Sequence, residues 1–98
     1  MVQRNREARK FARKCGKHLR EEYGVTFVYL VGSTAFSSRF HPRSDIDLLV
    51  KDLPDEKYFT ALKECWDLLR PGFELDLIPW EDAPEKLKEK AREQGELL

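Results

Sequence analysis

The sequence contains no long apolar run and no secretion signal. Its longest uninterrupted apolar stretch, Phe27 to Val31, is far shorter than the roughly 20 residues that cross a bilayer, so we expect no membrane-spanning segment. The amino terminus, Met1 to Arg6, is polar and basic and lacks an apolar signal core. We therefore expect a cytoplasmic protein that does not contact a membrane.

Cysteine is scarce, and neither sign of charge is in excess. Cys15 and Cys65 both fall on apolar stripes of predicted helices, which indicates two core thiols in a reducing compartment rather than a disulfide. Eighteen basic and eighteen acidic residues cancel, so no overall field attracts nucleic acid. The 98 residues form one predicted domain, residues 1–98, which is long enough to bury a core without a disulfide.

The charges are unevenly distributed along the chain. Residues 1–20 carry eight Lys or Arg and a single acid, Glu7, which is a local net charge of +7. The predicted first helix is therefore a candidate contact surface. Its aromatic residues, Phe11 and Tyr23, lie on the apolar stripe and are not available to stack on bases, so direct nucleic-acid binding is disfavoured.

The hydrophobic periodicities predict an α/β fold of the α+β kind, a small mixed sheet of three or more strands flanked by helices. An irregular segment joins the first two strands, so they should be antiparallel neighbours. A helix joins the second and third strands, so they should run parallel with a right-handed crossover. The predicted helices cover residues 8–23, 55–69 and from about 84 onward, and the predicted strands cover residues 25–31, 45–50 and 73–78.

The last two predicted helices differ in their apolar stripes. Asp82 is the expected N-cap of the final helix, whose stripe is thin and suggests either a loosely docked end or a surface that binds a partner. Trp80, just before this helix, is expected to pack at the sheet edge. The stripe of the second helix is Tyr58, Phe59, Leu62, Cys65, Trp66 and Leu69, and that of the final helix is Leu87 and Ala91 with Leu97 or Leu98.

Three aspartates occupy strand positions among Ile, Leu and Val. Asp45 and Asp47 lie two residues apart in the second strand, so both side chains leave the same face about 7 Å apart. Asp76 lies in the third strand at a depth that a parallel neighbour would bring level with the first two. Because strands are depleted in Asp and clustered carboxylates favour a cation, we predict an Mg²⁺ or Mn²⁺ site. The alternative is that the three are water-exposed residues at strand ends.

A Gly-Ser pair follows the first predicted strand directly. If the first two strands are antiparallel, Gly32 and Ser33 lie beside Asp45 and Asp47. Glycine lets a phosphate approach the backbone, and a following helical turn would offer free N–H groups. Alone, the pair would indicate only a turn, but next to the carboxylates it predicts a phosphate-binding position.

These motifs together resemble a known family. The run Val31-Gly32-Ser33, an eleven-residue gap and then Asp45-Ile46-Asp47-Leu48 is similar to the signature of the DNA polymerase β-like nucleotidyltransferases. The small size and the Ser44-Asp45-Ile46-Asp47-Leu48 core resemble the minimal nucleotidyltransferases, or MNT proteins. The resemblance covers essentially the whole chain and implies the nucleotidyltransferase fold.

The resemblance also implies an activity and its residues. It implies transfer of a nucleoside monophosphate, usually AMP from ATP, with two Mg²⁺ or Mn²⁺ ions. Asp45 and Asp47 would be the metal ligands and catalytic residues, and Asp76 matches the family's third carboxylate. The remaining residues that it assigns to nucleotide and phosphate binding are Gly32, Ser33 and Ser44.

The same resemblance implies a partner. MNT proteins are commonly paired with a HEPN-domain ribonuclease toxin, which they neutralise as antitoxins by binding or by adenylylation. We therefore expect a hydroxyl on a partner protein as the acceptor, and a dimer or hetero-oligomer. The subgroup often continues Gly-Ser-x-Ala-Arg-Gly, whereas Ala35 is followed here by Phe36 and Ser37. The alternative is thus a catalytically weak or inactive module that neutralises its partner by complex formation.

Overall fold

The structure is a computed structural model that describes residues 2–31, 44–69 and 71–98, and their side chains except those of residues 2–5, 44 and 45. This part of the chain contains three helices, four strands and two 3₁₀ turns. In chain order they are α1 Val2–Tyr23, β1 Phe27–Val31, β2 Ser44–Lys51, a 3₁₀ turn Asp55–Lys57, α2 Tyr58–Asp67, β3 Phe73–Pro79, a 3₁₀ turn Trp80–Asp82, α3 Glu85–Gln94 and β4 Glu96–Leu97. No helix in these ranges is long and apolar enough to cross a bilayer.

Helix α1 forms where the apolar residues recur at helical spacing. Ala8, Ala12, Cys15 and Leu19 are fully buried on one side, with Lys and Arg between them. The helix ends at Gly24, whose φ of 64° is a left-handed conformation that glycine adopts without a steric penalty. The Gly24 N–H donates to the carbonyl of Arg20 at 3.1 Å, which satisfies one of the terminal carbonyls.

The four strands form one mixed sheet in the order β3-β2-β1-β4. Strands β1 and β2 are antiparallel and β2 and β3 are parallel, so both predicted strand pairings are confirmed. The parallel pairing follows from the connection, because the 3₁₀ turn and α2 return the chain to the end of the sheet where β2 began. The mixed α/β architecture is that of the predicted fold class.

The fourth strand was not predicted. Residues 97 and 98 were expected on the stripe of the last helix, but α3 ends before Gly95 and the chain pairs with β1 instead, with Tyr29 opposite Leu97. Glycine is required at the turn, since a Cβ on Gly95 would lie 2.6 Å from the carbonyl oxygen of Ala91. The Leu98 N–H then donates to the carbonyl of Val28 at 2.8 Å.

Two further expectations were wrong in detail. Asp82 is not the N-cap of the last helix: it ends the preceding 3₁₀ turn, and Pro84 occupies the N-cap position without a side-chain cap. Phe59 is not on a buried stripe, because its side chain is 79 % exposed. Helical periodicity assigned Phe59 to the apolar stripe, but the buried side of α2 is centred on Ala61 and Cys65, and Phe59 lies outside it.

The sheet buries its two faces unequally. The first face, under α1 and α2, forms the main core with Leu30, Leu48 and Leu77 at its centre. The second face packs against α3 in a smaller cluster that contains Val31, Leu49 and Ala91. Trp80 belongs to this second cluster, where its ring centroid lies 4.9 Å from that of Phe27.

The two cysteines are part of the main core. Cys15 and Cys65 are fully buried free thiols, as the apolar stripes predicted. The Sγ of Cys15 donates to the carbonyl of Cys65 at 3.6 Å. The hydrogen bond with Cys65 and burial both raise the pKa of the Cys15 thiol, so it remains protonated and behaves as a small apolar residue.

Candidate active site

The candidate carboxylates of β2 alternate along the strand with residues of the main core. Ile46 and Leu48 are fully buried in the main core, so Asp47 between them faces the other side of the sheet. Asp47 is half-buried there. Asp45 precedes it by two residues in the same strand and pairs with Glu74, and the Asp45 side chain lies outside the described residues.

The parallel register brings a second strand's carboxylates to the same place. Asp76 on β3 is the direct partner of Asp47 on β2, so two carboxylates from separate segments lie on neighbouring strands about 4.8 Å apart. Asp76 is exposed, while its neighbours Leu75 and Leu77 are buried in the main core. The prediction that Asp47 and Asp76 lie level with each other on neighbouring strands is therefore confirmed.

A small concavity lies against these carboxylates. Its volume is about 90 Å³, and its polar lining comes from Asp47, Glu74 and Asp76, with Trp66 and Leu75 completing it. Glu74 was not among the predicted site residues. The signal was present in the sequence, because Glu74-Leu75-Asp76 repeats the two-residue spacing of the carboxylates in Asp45-Ile46-Asp47.

The end of β1 adjoins the start of β2. Val31, the last residue of β1, pairs with Asp47 across the antiparallel ladder. Gly32 and Ser33 follow Val31 in sequence and lie outside the described residues. Ser44 is the first residue of β2, and its side chain is likewise outside them. The phosphate-binding role of these three residues therefore stays a prediction.

Comparison with known families shows to which family this chain belongs. The profile of the family described as "Polymerase beta, Nucleotidyltransferase" matches residues 13–98. The chain belongs to this family. It is a minimal nucleotidyltransferase of the polymerase β-like superfamily, and its mixed sheet carries the paired carboxylates Asp47 and Asp76.

Two solved structures share the fold of this nucleotidyltransferase at low sequence identity. A crystal structure of a toxin–antitoxin with AMP-PNP superposes with a TM-score of 0.66 at 20 % identity, covering 86 % of this chain and 69 % of that one. A candidate nucleotidyltransferase from Sulfolobus solfataricus superposes with a TM-score of 0.57 at 15 % identity, covering 98 % of this chain and 83 % of that one. No curated protein matches the sequence. At these identities the two structures establish the fold alone.

Trp66 is a residue of the candidate site that the sequence analysis assigned to the core. Its side chain is 43 % exposed, and its indole N–H donates to the carbonyl of Leu75 at 2.8 Å. That bond holds the ring at the edge of β3, where it lines the concavity beside the carboxylates. Helical spacing alone assigns Trp66 to the side of α2 that faces the sheet, and it carries no information about where the sheet ends.

Tyr58 lies along the same edge. Its hydroxyl donates to the carbonyl of Leu77 at 2.6 Å. Burial and the negative charge of Asp76 both raise the pKa of the Tyr58 hydroxyl, so it remains a protonated donor. Tyr58 and Trp66 thus donate hydrogen bonds to two backbone carbonyls at the outer edge of β3.

The donors that line the concavity suit a hard divalent cation. Carboxylate oxygens are the ligands that Mg²⁺ and Mn²⁺ prefer, and Asp47 and Asp76 supply them from adjacent strands. Within the described side chains, no group of three or more His, Cys, Asp or Glu residues is arranged to hold a metal ion. Asp45 is outside that set, so the predicted three-carboxylate site stays a prediction. Asp47 and Asp76 fit the cation as two of its ligands.

Proposed function

We propose that this nucleotidyltransferase transfers AMP from ATP to a hydroxyl group on a partner protein, with Mg²⁺ or Mn²⁺ as its cofactor. We further propose that it acts as the antitoxin of a HEPN-type ribonuclease. The observation that carries the proposal is the register that sets Asp47 opposite Asp76 on the second face of the sheet. The shared fold of the toxin–antitoxin structure with AMP-PNP supports both the nucleotide and the biological setting.

In the proposed reaction, the acceptor hydroxyl oxygen attacks the α-phosphorus of ATP. The new bond joins that oxygen to phosphorus, the bond to the β-phosphate bridging oxygen breaks, and pyrophosphate leaves. Asp45 and Asp47 would hold the cations, and Asp76 would take the hydroxyl proton or share a cation with them. When bound, the cations neutralise the triphosphate and make the hydroxyl more acidic. Gly32, Ser33 and Ser44 hold the phosphates.

The openness of the site favours a macromolecular acceptor. Strand β3 is at the edge of the described sheet, and Asp76 on it is exposed. The concavity that the described residues form beside it has a volume of about 90 Å³, against the 300 Å³ or more typical of small-molecule pockets. A hydroxyl carried on the surface of another protein can therefore reach Asp76 without entering a pocket.

The test is transfer of label from ATP labelled at its α-phosphate, with Mg²⁺ and the product of the neighbouring gene as acceptor. We expect the wild-type chain to label the partner, and Asp47→Asn to lower the rate by about 1,000-fold, which is about 4 kcal/mol of transition-state stabilisation. Asp82→Asn removes an exposed carboxylate outside the site and should leave the rate unchanged.

The alternative function predicts a different pattern. If the chain is a catalytically weak module, the wild-type protein inhibits the partner ribonuclease without labelling it, and Asp47→Asn inhibits equally well. A rate of labelling by Asp47→Asn equal to that of the wild type would contradict the proposed role of this carboxylate.

A further inference from the structure

The solvent face of α1 is basic from residue 6 to residue 20, and the exposed acids Glu21 and Glu22 follow at the end of the helix. Every exposed position of α1 from residue 6 to residue 20 carries Lys or Arg. Helical spacing brings these positions onto one side, and a rise of 1.5 Å per residue makes the row about 21 Å long. We call this row the basic stripe, and its members are Arg6, Lys10, Arg13, Lys14, Lys17 and Arg20.

Most of the basic stripe has no acidic partner in the described part of the chain. Arg13 donates to Glu96 at 3.1 Å, and the Nζ of Lys14 lies 5.8 Å from the centre of the Phe11 ring. The described residues supply no ion pair to the other four members, Arg6, Lys10, Lys17 and Arg20. Because no ion pair in the described ranges engages these four cations, they remain available to an anionic ligand.

The carboxyl-terminal half of the basic stripe borders a groove of about 340 Å³. Gly16 allows the end of the chain to approach α1, because a Cβ at position 16 would lie only 3.1 Å from the Cβ of Leu98. Three cations and one acid line the groove, so its charge is positive. The lining residues are Arg13, Lys17, Arg20, Glu96, Leu97 and Leu98.

The basic stripe and the carboxylates lie on opposite sides of the sheet. Helix α1 covers the face that contains Leu48, whereas Asp47 and Asp76 lie on the other face. A packed layer therefore separates an anion on the stripe from the acidic site. Exposed charges more than about 8 Å apart are largely screened at physiological ionic strength, so the carboxylates do not repel it strongly.

We infer that the basic stripe binds the phosphate backbone of a nucleic acid, without reading its sequence. Contacts with phosphates need only cations and supply most of non-specific affinity. Exposed aromatic side chains are needed for base stacking, whereas phosphate contacts do not require stacking. Phe11 and Tyr23 are packed against the main core, so their absence from the surface excludes a stacking platform but leaves the phosphate contacts intact.

The composition of the basic stripe favours a nucleic acid over an acidic protein. The centres of protein interfaces are enriched in aromatic residues and depleted in Lys. The stripe has no exposed apolar residue between residues 6 and 20, and three of its six members are Lys. A row of cations without an apolar centre is typical of a backbone-contacting surface.

The charge geometry also favours a duplex over a single strand. A duplex carries one charge per about 1.7 Å of axis, twice the density of one strand, and single-strand binding relies on exposed aromatic residues. A row about 21 Å long spans roughly six phosphates along one strand at 3.4 Å each. We therefore expect tighter binding to a duplex.

The experiment is fluorescence anisotropy of the full chain with a labelled 20-base-pair DNA duplex and a DNA single strand of equal length. We expect the wild-type Kd for the duplex to be at least threefold lower than for the strand. The slope of log affinity against log salt concentration should be about −3.6, from four free cations at 0.9 each. Lys10→Glu/Lys17→Glu/Arg20→Glu should weaken binding at least tenfold.

A matched control distinguishes the effect of the basic stripe on binding from the effect of the net charge of the protein. Lys57→Glu/Lys63→Glu/Lys86→Glu makes the same change in net charge at exposed positions outside α1, and should weaken binding less than threefold. The neutral variant Lys10→Gln/Lys17→Gln/Arg20→Gln adds no like-charge repulsion to the helix. It should reduce the magnitude of the salt slope by about 2.7. Far-ultraviolet circular dichroism checks that each variant remains folded.

Three results would overturn the inference. They are no wild-type binding to either oligonucleotide at 25 mM salt, equal weakening by the stripe and control variants, and tighter binding to poly-glutamate than to the duplex. The last result would instead assign the basic stripe to an acidic protein partner. Binding at the stripe requires no transfer activity, so the fate of the Asp47→Asn experiment does not decide this one.

Discussion

The two faces of the sheet differ in what they contribute. The first face, under α1 and α2, contains sixteen of the buried residues that the structure describes, whereas the second face contains four. Strand β2 supplies both, with Leu48 in the large core and Asp47 on the face with less cover. Alternation along one strand thus separates a core residue from a candidate site residue, and carboxylates are tolerated where packing is incomplete.

The largest effect on stability should come from truncating a buried side chain on the first face. Leu48→Ala removes a fully buried side chain from the main core, so we expect the free energy of unfolding to fall by about 3–5 kcal/mol in urea titrations. Leu49→Ala, also fully buried but in the smaller cluster, should lose about 2–3 kcal/mol because that cluster relaxes more easily. An equal or larger loss for Leu49→Ala would remove the proposed difference between the faces.

The next effect should appear on the second face and affect activity rather than stability. Asp47→Asn should abolish transfer as described above while changing the free energy of unfolding by less than about 1 kcal/mol, because Asp47 is half-buried beside another carboxylate. Urea titration and the labelling assay on the same preparation measure both quantities. A loss of several kcal/mol would show that this side chain is a structural part of the sheet.

A smaller effect should be seen at the edge where the two faces meet. Trp66→Phe removes the donor to the Leu75 carbonyl, and the exposed edge then accepts water instead. We expect a loss of about 0.5–1.5 kcal/mol in unfolding free energy and more self-association by light scattering, because an unprotected edge strand can pair with another copy. Phe59→Leu changes an exposed aromatic on the same helix and should leave both measurements at wild-type values.

The smallest effect should come from the polar contact between the helices that cover the first face. Glu64 on α2 accepts from Tyr23 at 2.8 Å and lies 2.8 Å from the Nε2 of His18. The hydrogen bonds from His18 and then Tyr23 lower the pKa of Glu64. A lowered folded-state pKa gives stability that is present above the unfolded value of 4.5 and lost as pH falls through the folded value.

Comparing the wild type with Glu64→Gln in urea titrations from pH 6 to pH 3 measures this contribution. The wild type should be slightly more stable at pH 6, and the difference should shrink as the pH falls. Glu93→Gln, at an exposed position on α3, should show no such pH dependence relative to the wild type. A difference that grows toward pH 3 would reverse the predicted sign.

Much of the architecture could be predicted because strong periodic patterns produce it. Helix α1, strands β1 to β3 and both strand pairings follow from apolar spacing and the lengths of the connections. Asp47 and Asp76 could be selected as site residues because a charged residue in an apolar strand contradicts the local pattern. That contradiction is visible without coordinates.

The remaining features depend on distances between segments. Strand β4 is two residues long, so it has no periodic pattern, and it forms only because Gly95 lets the chain turn beside β1. Trp66 and Phe59 share an apolar stripe in the sequence, yet α2 buries the side centred on Ala61 and Cys65, which leaves Trp66 at the sheet edge and Phe59 in solvent.

The sequence by itself determined which residues alternate along each strand and therefore which side of the sheet each would take. Only the tertiary structure decided which carboxylates meet, because the register of β2 against β3 depends on how α2, which connects the two strands, packs against the sheet. It also decided that most cations of the basic stripe form an exposed row without ion pairs in the described chain, since packing selects the buried side of that helix. Local pattern sets the direction of a side chain, and long-range packing sets its neighbours.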